Sequence, residues 1–324
     1  MAMNVLNACV LIVLVLYSCD GLLLSSVVAK KGKLEGAGKG ARVKSIRDAS
    51  ISAATTRRQV VLASSIADQV STVDATWADL TANGEKLTSM TKMSLFFRSL
   101  AAGVFTGFGG CLCASVGFDM ALKPWEAGSG IARLVTGVIG MPLAFLLINI
   151  TGNGAWTGDA LSVVRAYLKN RKAMNALRML FITYLGCAVG TGLVALLAAA
   201  GNLACCKPIL AIASNKIGLG LTQVFARSIG GGALICLAIL TSKQSPTISG
   251  KAINIIFPIS AYVTIGFEHY LSSLFFFQTA MASGLSIPLL KLVQFTLVAT
   301  LGNFLGGAFL VGCGMSQMPK KVLQ

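Results

Sequence analysis

The chain contains one histidine, His269, and it lies in the middle of a strongly apolar stretch, residues 261–277. An ionisable side chain at membrane depth is energetically expensive, and where it occurs it usually faces a bundle interior or a polar pathway. An imidazole can donate a hydrogen bond or transfer a proton to a bound weak acid. The alternative is a structural histidine that hydrogen-bonds to a neighbouring helix. His269 is therefore the first candidate for a functional residue.

An internal repeat pairs Thr157 with His269. Gly154-Ala-Trp-Thr157 corresponds to Gly266-Phe-Glu-His269, and each stretch interrupts an apolar segment. Each is followed by an apolar segment that contains the motif Leu-Gly-x-x-x-Gly. The last glycine of the motif is Gly190 in the first half and Gly306 in the second. With three spans per half, the second copy enters the bilayer in the opposite sense, which is the inverted-repeat arrangement of transport proteins. We therefore expect Thr157 and His269 to face each other near the bilayer midplane.

The composition is that of a membrane protein. Hydrophobic residues make up 55% of the 324 residues and charged residues only 12%, which is too apolar for a soluble domain of this length. The formal net charge of +16 is concentrated in an N-terminal extension and in short loops. We therefore expect the lipid bilayer as a partner and no nucleic-acid binding.

The N-terminal part resembles targeting sequence. Residues 1–29 contain one apolar run, Val5 to Tyr17, that is short for a span and typical of a signal peptide. Residues 30–90 form a basic extension with a transit-like or disordered composition. Together they favour a plastid membrane, and a plasma-membrane location with a signal anchor and a basic tail is the alternative. Residues 91–316 are the membrane domain, and residues 317–324 are a C-terminal tail.

Hydropathy predicts an all-α membrane protein with six spans, and spans two and five carry the interruptions. The spans cover roughly residues 95–118, 131–151, 176–200, 222–241, 252–280 and 289–314. Basic residues in the loops after spans two and four, and after span six, place these loops and the N-terminal extension on the cytosolic or stromal side.

The nine cysteines mostly lie inside apolar segments. Their spacing matches neither a metal site nor a disulfide framework, so we interpret them as small side chains that fill space between helices. No cofactor is expected.

Several motifs resemble those of the formate/nitrite transporter family. They are Ala102-Gly-Val-Phe105, the Thr157 loop, Ile256-Phe-Pro-Ile259, Gly266-Phe-Glu-His269 and the glycine-rich stretch Gly302 to Gly312. The resemblance covers about residues 95–315, and the Gly-Phe-Glu-His and Gly-Asn-x-x-Gly-Gly elements are specific in combination. It implies an aquaporin-like six-helix bundle with an inverted repeat and two broken helices. It also implies a homopentamer with one path per protomer for small anions such as nitrite and formate.

The resemblance also assigns residues along the path. The substrate-pathway positions are His269, Thr157, Asn303 and Cys187, where Cys187 stands in place of an expected asparagine. The constriction positions are Met141 and Phe145 on the inner side, and Ala155, Trp156 and Tyr262 on the outer side.

The expected function is the transport of small monovalent weak-acid anions. Nitrite is favoured because plastids reduce nitrite, and transport is proton-linked if His269 transfers a proton to the acid. If His269 only donates a hydrogen bond, the path is an anion channel. A lactate- or hydrosulfide-type transporter at the plasma membrane is an alternative, as is a neutral-solute channel, although the chain lacks Asn-Pro-Ala motifs. An enzyme is not expected, since no nucleophile, metal cluster or cofactor loop accompanies His269.

The targeting segments predict a shortened mature protein. We expect residues before about 75 to be removed on import into a plastid. N-terminal sequencing of the protein purified from its own cell measures this directly. A mature chain that begins near Met1 at the plasma membrane would contradict the plastid assignment and weaken the preference for nitrite.

Overall fold

The computed structural model describes residues 71–119, 134, 137–170 and 173–315, and its regular elements over these residues are all helices. The predicted signal peptide, the extension up to residue 70 and the tail 317–324 lie outside the described residues. The helices are α1 (Val73–Ser89), α2 (Lys92–Asp119), α3 (Met141–Ile150), α4 (Trp156–Asn170), α5 (Ala173–Ala200), α6 (Cys206–Ile217), α7 (Leu221–Gln244), α8 (Ile248–Ile265), α9 (Tyr270–Ala282) and α10 (Leu289–Asn303). The last continues as a π-helix, Phe304–Gly314.

Among the described residues, five helices are long and apolar enough to cross a membrane, by length and composition. They are α5, α7, α8, the Lys92–Val116 part of α2, and α10 together with its π-helical continuation. The sequence therefore correctly predicted an all-α protein built from membrane-crossing segments.

Both predicted interruptions are present. In the second span, α3 ends at Ile150 and α4 begins at Trp156, with Gly152 at a φ of 71° between them. In the fifth span, α8 ends at Gly266, whose φ of 83° is one that side chains with a Cβ rarely adopt. The chain then extends to His269, which is the N-cap of α9. Each half of the protein therefore contributes one half-helix that begins inside the bundle.

Glycines bring the long helices of each half into backbone contact. A Cβ on Gly190 of α5 would overlap the carbonyl oxygen of Leu100 in α2, and a Cβ on Gly306 would overlap that of Ile229 in α7. The two contacts correspond to each other across the predicted repeat. Close approach of this kind stabilises helix pairs in lipid, where apolar side chains gain little by leaving the bilayer.

The predicted extension is wrong at its end, because α1 lies within residues 30–90. Its residues Trp77, Leu80 and Leu87 fall on one helical face and are buried, and the helix packs against α4. Two ion pairs also connect α1 to other helices. Glu85 pairs with Lys169 of α4 at 2.9 Å, and Asp79 pairs with Lys243 of α7 at 2.5 Å. The basic composition of the stretch obscured this short apolar periodicity.

A second unpredicted helix, α6, lies between α5 and α7. It packs against α9 and α2, and its buried face includes Ile209 and Ile212. Its last turn carries Lys216, whose ammonium group pairs with the carboxylate of Glu268, the residue before His269.

The glycine contacts predict a selective loss of stability. Gly190→Ala should lower the free energy of unfolding by about 1–3 kcal/mol, because the added methyl group overlaps the α2 backbone. Gly192→Ala, in the same helix, is the matched control, since its methyl group would lie 3.5 Å from the Gln278 side chain. Melting temperatures of the two variants in detergent measure the difference, and equal values would show that the close contact is not required.

Candidate functional site

Two cavities enter the bundle at the broken helices. The larger, of about 510 Å³, is lined by residues that include Met141, Lys216, Arg227, Tyr262, His269 and Ser272. The smaller, of about 140 Å³, is lined by residues that include Asn83, Arg98, Phe145, Ala155, Asp159 and Lys243. The basic loops predicted on the cytosolic or stromal side include Lys243, which lines the smaller cavity.

The predicted pair of Thr157 and His269 meets between the two cavities. The Thr157 hydroxyl lies 2.9 Å from His269 Nε2, and each residue is only 1% exposed. The other ring nitrogen, Nδ1, lies 3.2 Å from the Ser272 hydroxyl, which in turn lies 3.3 Å from the Tyr262 hydroxyl. Both ring nitrogens therefore have a hydroxyl partner, and hydroxyls donate as well as accept.

Asn303 fixes the position of His269 through hydrogen bonds to the backbone of the two adjacent residues, Glu268 and Tyr270. Its amide oxygen accepts a hydrogen bond from the Tyr270 backbone amide at 2.9 Å, and its amide nitrogen donates to the backbone oxygens of Ser228 and Glu268 at 2.8 and 2.9 Å. Asn303 is fully buried and does not line either of the two cavities. Two of these groups, the Tyr270 amide and the Glu268 carbonyl, lie at the helix break, where the backbone lacks helical partners.

Cys187 occupies the corresponding place in the first half. It is fully buried in α5 beside Trp156 and Tyr270, and like Asn303 it does not line the two cavities. The structure thus places both residues, which the resemblance assigned to the substrate pathway, next to the broken backbone.

The two sides of the constriction differ from the prediction. Met141, expected on the inner side with Phe145, lines the larger cavity with Tyr262. Ala155, expected on the outer side, lines the smaller cavity with Phe145. The reason is that Met141 precedes Phe145 by about one turn of α3, or about 6 Å along the helix axis. This one turn is enough to place the two side chains at different cavities, on either side of His269. The ring centroid of His269 lies 5.7 Å from that of Phe145.

Trp156 was predicted to line the outer constriction, but it is not among the described residues that line the two cavities. Its indole contacts three other aromatic rings, with centroid distances of 5.5 Å to Tyr270, 6.5 Å to Tyr184 and 6.3 Å to Phe304. The side chain is 6% exposed. It therefore anchors the start of α4 in an aromatic cluster.

Sequence reasoning missed two buried ion pairs beside the central residues. Arg98 holds Asp159 with two hydrogen bonds, of 2.6 and 3.0 Å. Lys216 contacts Glu268 at 2.5 Å, and the Ser273 hydroxyl donates to the same carboxylate oxygen at 2.8 Å.

A second repeat could have revealed part of this arrangement. Arg-Ser-x-x-x-Gly occurs at residues 98–103 and again at residues 227–232. It places one arginine at each cavity, Arg98 at the smaller and Arg227 at the larger. Within the described residues, no group of three or more His, Cys, Asp or Glu side chains is placed to hold a metal ion.

Replacing Asn303 should destabilise the fold more than replacing a neighbour. Asn303→Leu removes the side-chain partner of two backbone groups at the helix break, the Tyr270 amide and the Glu268 carbonyl, and each loss costs about 1–3 kcal/mol. The matched control is Thr300→Val, one turn earlier in α10, whose hydroxyl donates only to the Thr296 carbonyl of its own helix. We expect a clearly lower melting temperature in detergent for Asn303→Leu than for Thr300→Val. A similar value for both would show that the amide is not needed at the helix break.

Comparison with known proteins agrees with this geometry. The family model described as formate/nitrite transporter matches residues 74–316. A "Probable formate transporter" from Methanothermobacter thermautotrophicus is 32% identical over 237 residues, which cover 66% of this chain and 85% of the relative. "Formate-nitrite transporter 2" from Toxoplasma gondii is 27% identical over 71% of this chain, which spans about half (51%) of that relative.

The fold also resembles a solved structure, "Pentameric formate channel with formate bound". The TM-score is 0.58 at 19% identity, over 69% of this chain and 96% of that one. The long apolar helices and the similarity in fold to this channel show that the chain is an integral, multi-pass membrane protein. Because the family model matches about three quarters of its length, the chain belongs to the formate/nitrite transporter family.

Proposed function

We propose that this protein transports small monovalent anions of weak acids, of the nitrite and formate type, along a path that joins the two cavities past His269. Family membership and the named relatives support the substrate class. The observation that carries the proposal is the charge arrangement, in which an arginine without an ion pair among the described residues lines the larger cavity and two half-helices begin at the centre of the path.

Each cavity is lined by two basic side chains and one acidic side chain. These are Arg98, Lys243 and Asp159 at the smaller cavity, and Lys216, Arg227 and Glu268 at the larger. In each cavity the acid pairs with one of the bases. At the smaller cavity the second base, Lys243, pairs with Asp79 of α1, so the charges there balance. Arg227 forms no ion pair among the described residues. The larger cavity therefore keeps an excess of positive charge. A cleft lined by one sign of charge concentrates ions of the opposite sign, so this end favours anions.

The half-helices extend this attraction to the centre. α4 begins at Trp156 and α9 begins at Tyr270, so both helix N-termini lie beside Thr157 and His269. A helix N-terminus carries a partial positive charge of about half an elementary charge. It attracts an anion more weakly than a lysine would, so the anion is not trapped at the centre.

Apolar side chains at the centre favour a neutral form of the substrate. Phe145 lies on one side of His269, and Met141 with Tyr262 lies on the other. Stripping water from an ion in such surroundings is expensive, whereas the neutral acid loses much less. The His269 ring contacts a hydroxyl at each nitrogen, so it can change its protonation without losing either hydrogen bond. We therefore propose that transport is proton-linked through His269.

The assembly and location belong to the same proposal. Large apolar side chains of α5 face outward, among them Met174, Phe181 and Leu197, which are 77%, 65% and 65% exposed. They suit contact with lipid or with neighbouring protomers of a homopentamer, since the similar formate channel is pentameric. Nitrite ranks first among the anions on account of the plastid-like N-terminal sequence.

The function is tested by uptake into proteoliposomes that contain the full chain. We expect nitrite and formate to enter faster than lactate, and an inwardly directed proton gradient to increase their initial rates. His269→Phe should abolish the gradient-dependent part, because the phenyl ring can neither donate a hydrogen bond nor carry a proton. Thr300→Val is the matched control and should transport like the natural protein, since Thr300 lies outside the two cavities.

The oligomer of each variant is checked by native mass spectrometry, so that a loss of uptake is not confused with a loss of assembly. Gradient-dependent uptake that persists in His269→Phe would remove the histidine from the mechanism. Absence of anion uptake by the natural protein, in liposomes that admit a neutral solute such as glycerol, would overturn the anion proposal in favour of a neutral-solute channel.

A further inference from the structure

Two cysteine thiols from distant parts of the chain meet at one end of the bundle. The Sγ atoms of Cys111, in the last third of α2, and Cys205, the N-cap of α6, lie 3.2 Å apart. Cys205 is buried and Cys111 is partly exposed. Neither is among the residues that line the two cavities, so they are not part of the path proposed above.

Cys205 has the surroundings of a reactive cysteine. It lies at the beginning of α6, and the free backbone amides of a helix N-terminus stabilise a thiolate. The hydrogen bond between Cys205 and Cys111 lowers the pKa of Cys205 to about 7. A substantial part of Cys205 is therefore ionised at neutral pH, and the thiolate is the form that reacts.

The neighbouring Cys206 is engaged elsewhere. Its thiol donates a hydrogen bond to the backbone oxygen of Ala198, at 3.3 Å, in the last turn of α5. Cys205 also interacts with the Cys206 thiol, but its hydrogen bond with Cys111 has the larger effect on it. In the alternative, plasma-membrane location, the side of the membrane also suits oxidation. The basic loops are predicted to face cytosol or stroma, so the segment between α5 and α7 emerges on the opposite side. At a plasma membrane that side is oxidising, and disulfides persist there.

We propose that Cys111 and Cys205 form an oxidation site that closes to a disulfide and ties α6 to α2. Hydrogen peroxide is an oxidant of about the size of water. The Cys205 thiolate attacks one peroxide oxygen, a sulfur–oxygen bond forms as the oxygen–oxygen bond breaks, and the released hydroxide takes up the thiol proton as water. The Cys111 sulfur then displaces the hydroxyl of this sulfenic acid, which leaves with the Cys111 proton as a second water. Two thiols lose two electrons in all, and one peroxide gains them.

The disulfide would act on the wall of the larger cavity. α6 carries Ile212 and Lys216 on this wall, and α2 carries Cys113, two residues after Cys111. The two cysteines are 94 residues apart in sequence, and a crosslink that closes a long loop restricts the unfolded chain strongly. Oxidation should therefore stabilise the fold and hold α6 against α2.

The test uses the full chain, purified under reducing conditions in detergent and then titrated with hydrogen peroxide. Proteolysis without reductant, followed by mass spectrometry, should recover a crosslinked peptide pair that contains Cys111 and Cys205. The melting temperature should rise by several degrees and return to its starting value after treatment with dithiothreitol. Recovery of Cys205 as sulfinic or sulfonic acid only, of disulfides that involve Cys206 instead, or of unmodified thiols would overturn the proposal.

Variants separate the crosslink from other effects of peroxide. Cys111→Ser and Cys205→Ser should each lose the increase in melting temperature, whereas Cys206→Ser, the adjacent control, should keep it. An increase that survives in Cys205→Ser would show that another group is responsible. If a variant fails to fold, the peptide pair from the natural chain still decides the question. None of these readouts measures transport, so their failure is distinct from failure of the proposed function.

Discussion

The structure depends on satisfying backbone groups where two membrane-crossing helices are broken. Water is scarce at this depth, so each amide or carbonyl released by a break needs a partner within the protein. At the second break, the Asn303 side chain provides two hydrogen bonds, and the Arg227 carbonyl accepts from the Glu268 amide at 3.2 Å. Only with these partners in place does His269 remain at the N-terminus of α9. The position of the histidine is thus set by α7 and α10, the helices that hold the broken backbone.

Glycine contacts and buried charges follow from the same requirement. Asn303 reaches the Ser228 and Glu268 carbonyls only because α10 and its π-helical continuation approach α7 closely, which the absence of a Cβ at Gly302 and Gly306 permits. The carboxylate of Glu268, buried at 3% exposure, is in turn held by Lys216 and Ser273. A buried ion pair is weak support for stability, but removing one partner leaves an uncompensated charge. These pairs therefore fix the geometry around the break, and the remaining basic group, Arg227, sets the sign of the ion that the larger cavity attracts.

The sequence predicted the features that depend on periodicity and duplication, which are the broken helices and the central pair of residues. It predicted less well the features that depend on the direction of a side chain. The repeat was sufficient to pair Thr157 with His269, because corresponding residues of an inverted repeat lie near a common axis. It was not sufficient for Met141 and Ala155, since one helical turn decides on which side of His269 a residue lies. Hydropathy also missed α1 and α6, which are too short or too polar to cross the bilayer. The contact of Cys111 with Cys205 joins residues too far apart for any local spacing to indicate.

The two halves satisfy their breaks by different means, and this asymmetry follows from one substitution in the repeat. Where the second half has Asn303, the first half has Cys187, whose thiol is a much weaker hydrogen-bonding group than an amide. In the first half a charged group supports the loop instead. Arg98 donates to the Gly152 carbonyl at 3.3 Å while it holds Asp159, two residues after Thr157. An arginine in this place also lines the smaller cavity, where Asp159 balances its charge. The first half therefore supports its loop with an ion pair, whereas the second half uses the neutral amide of Asn303.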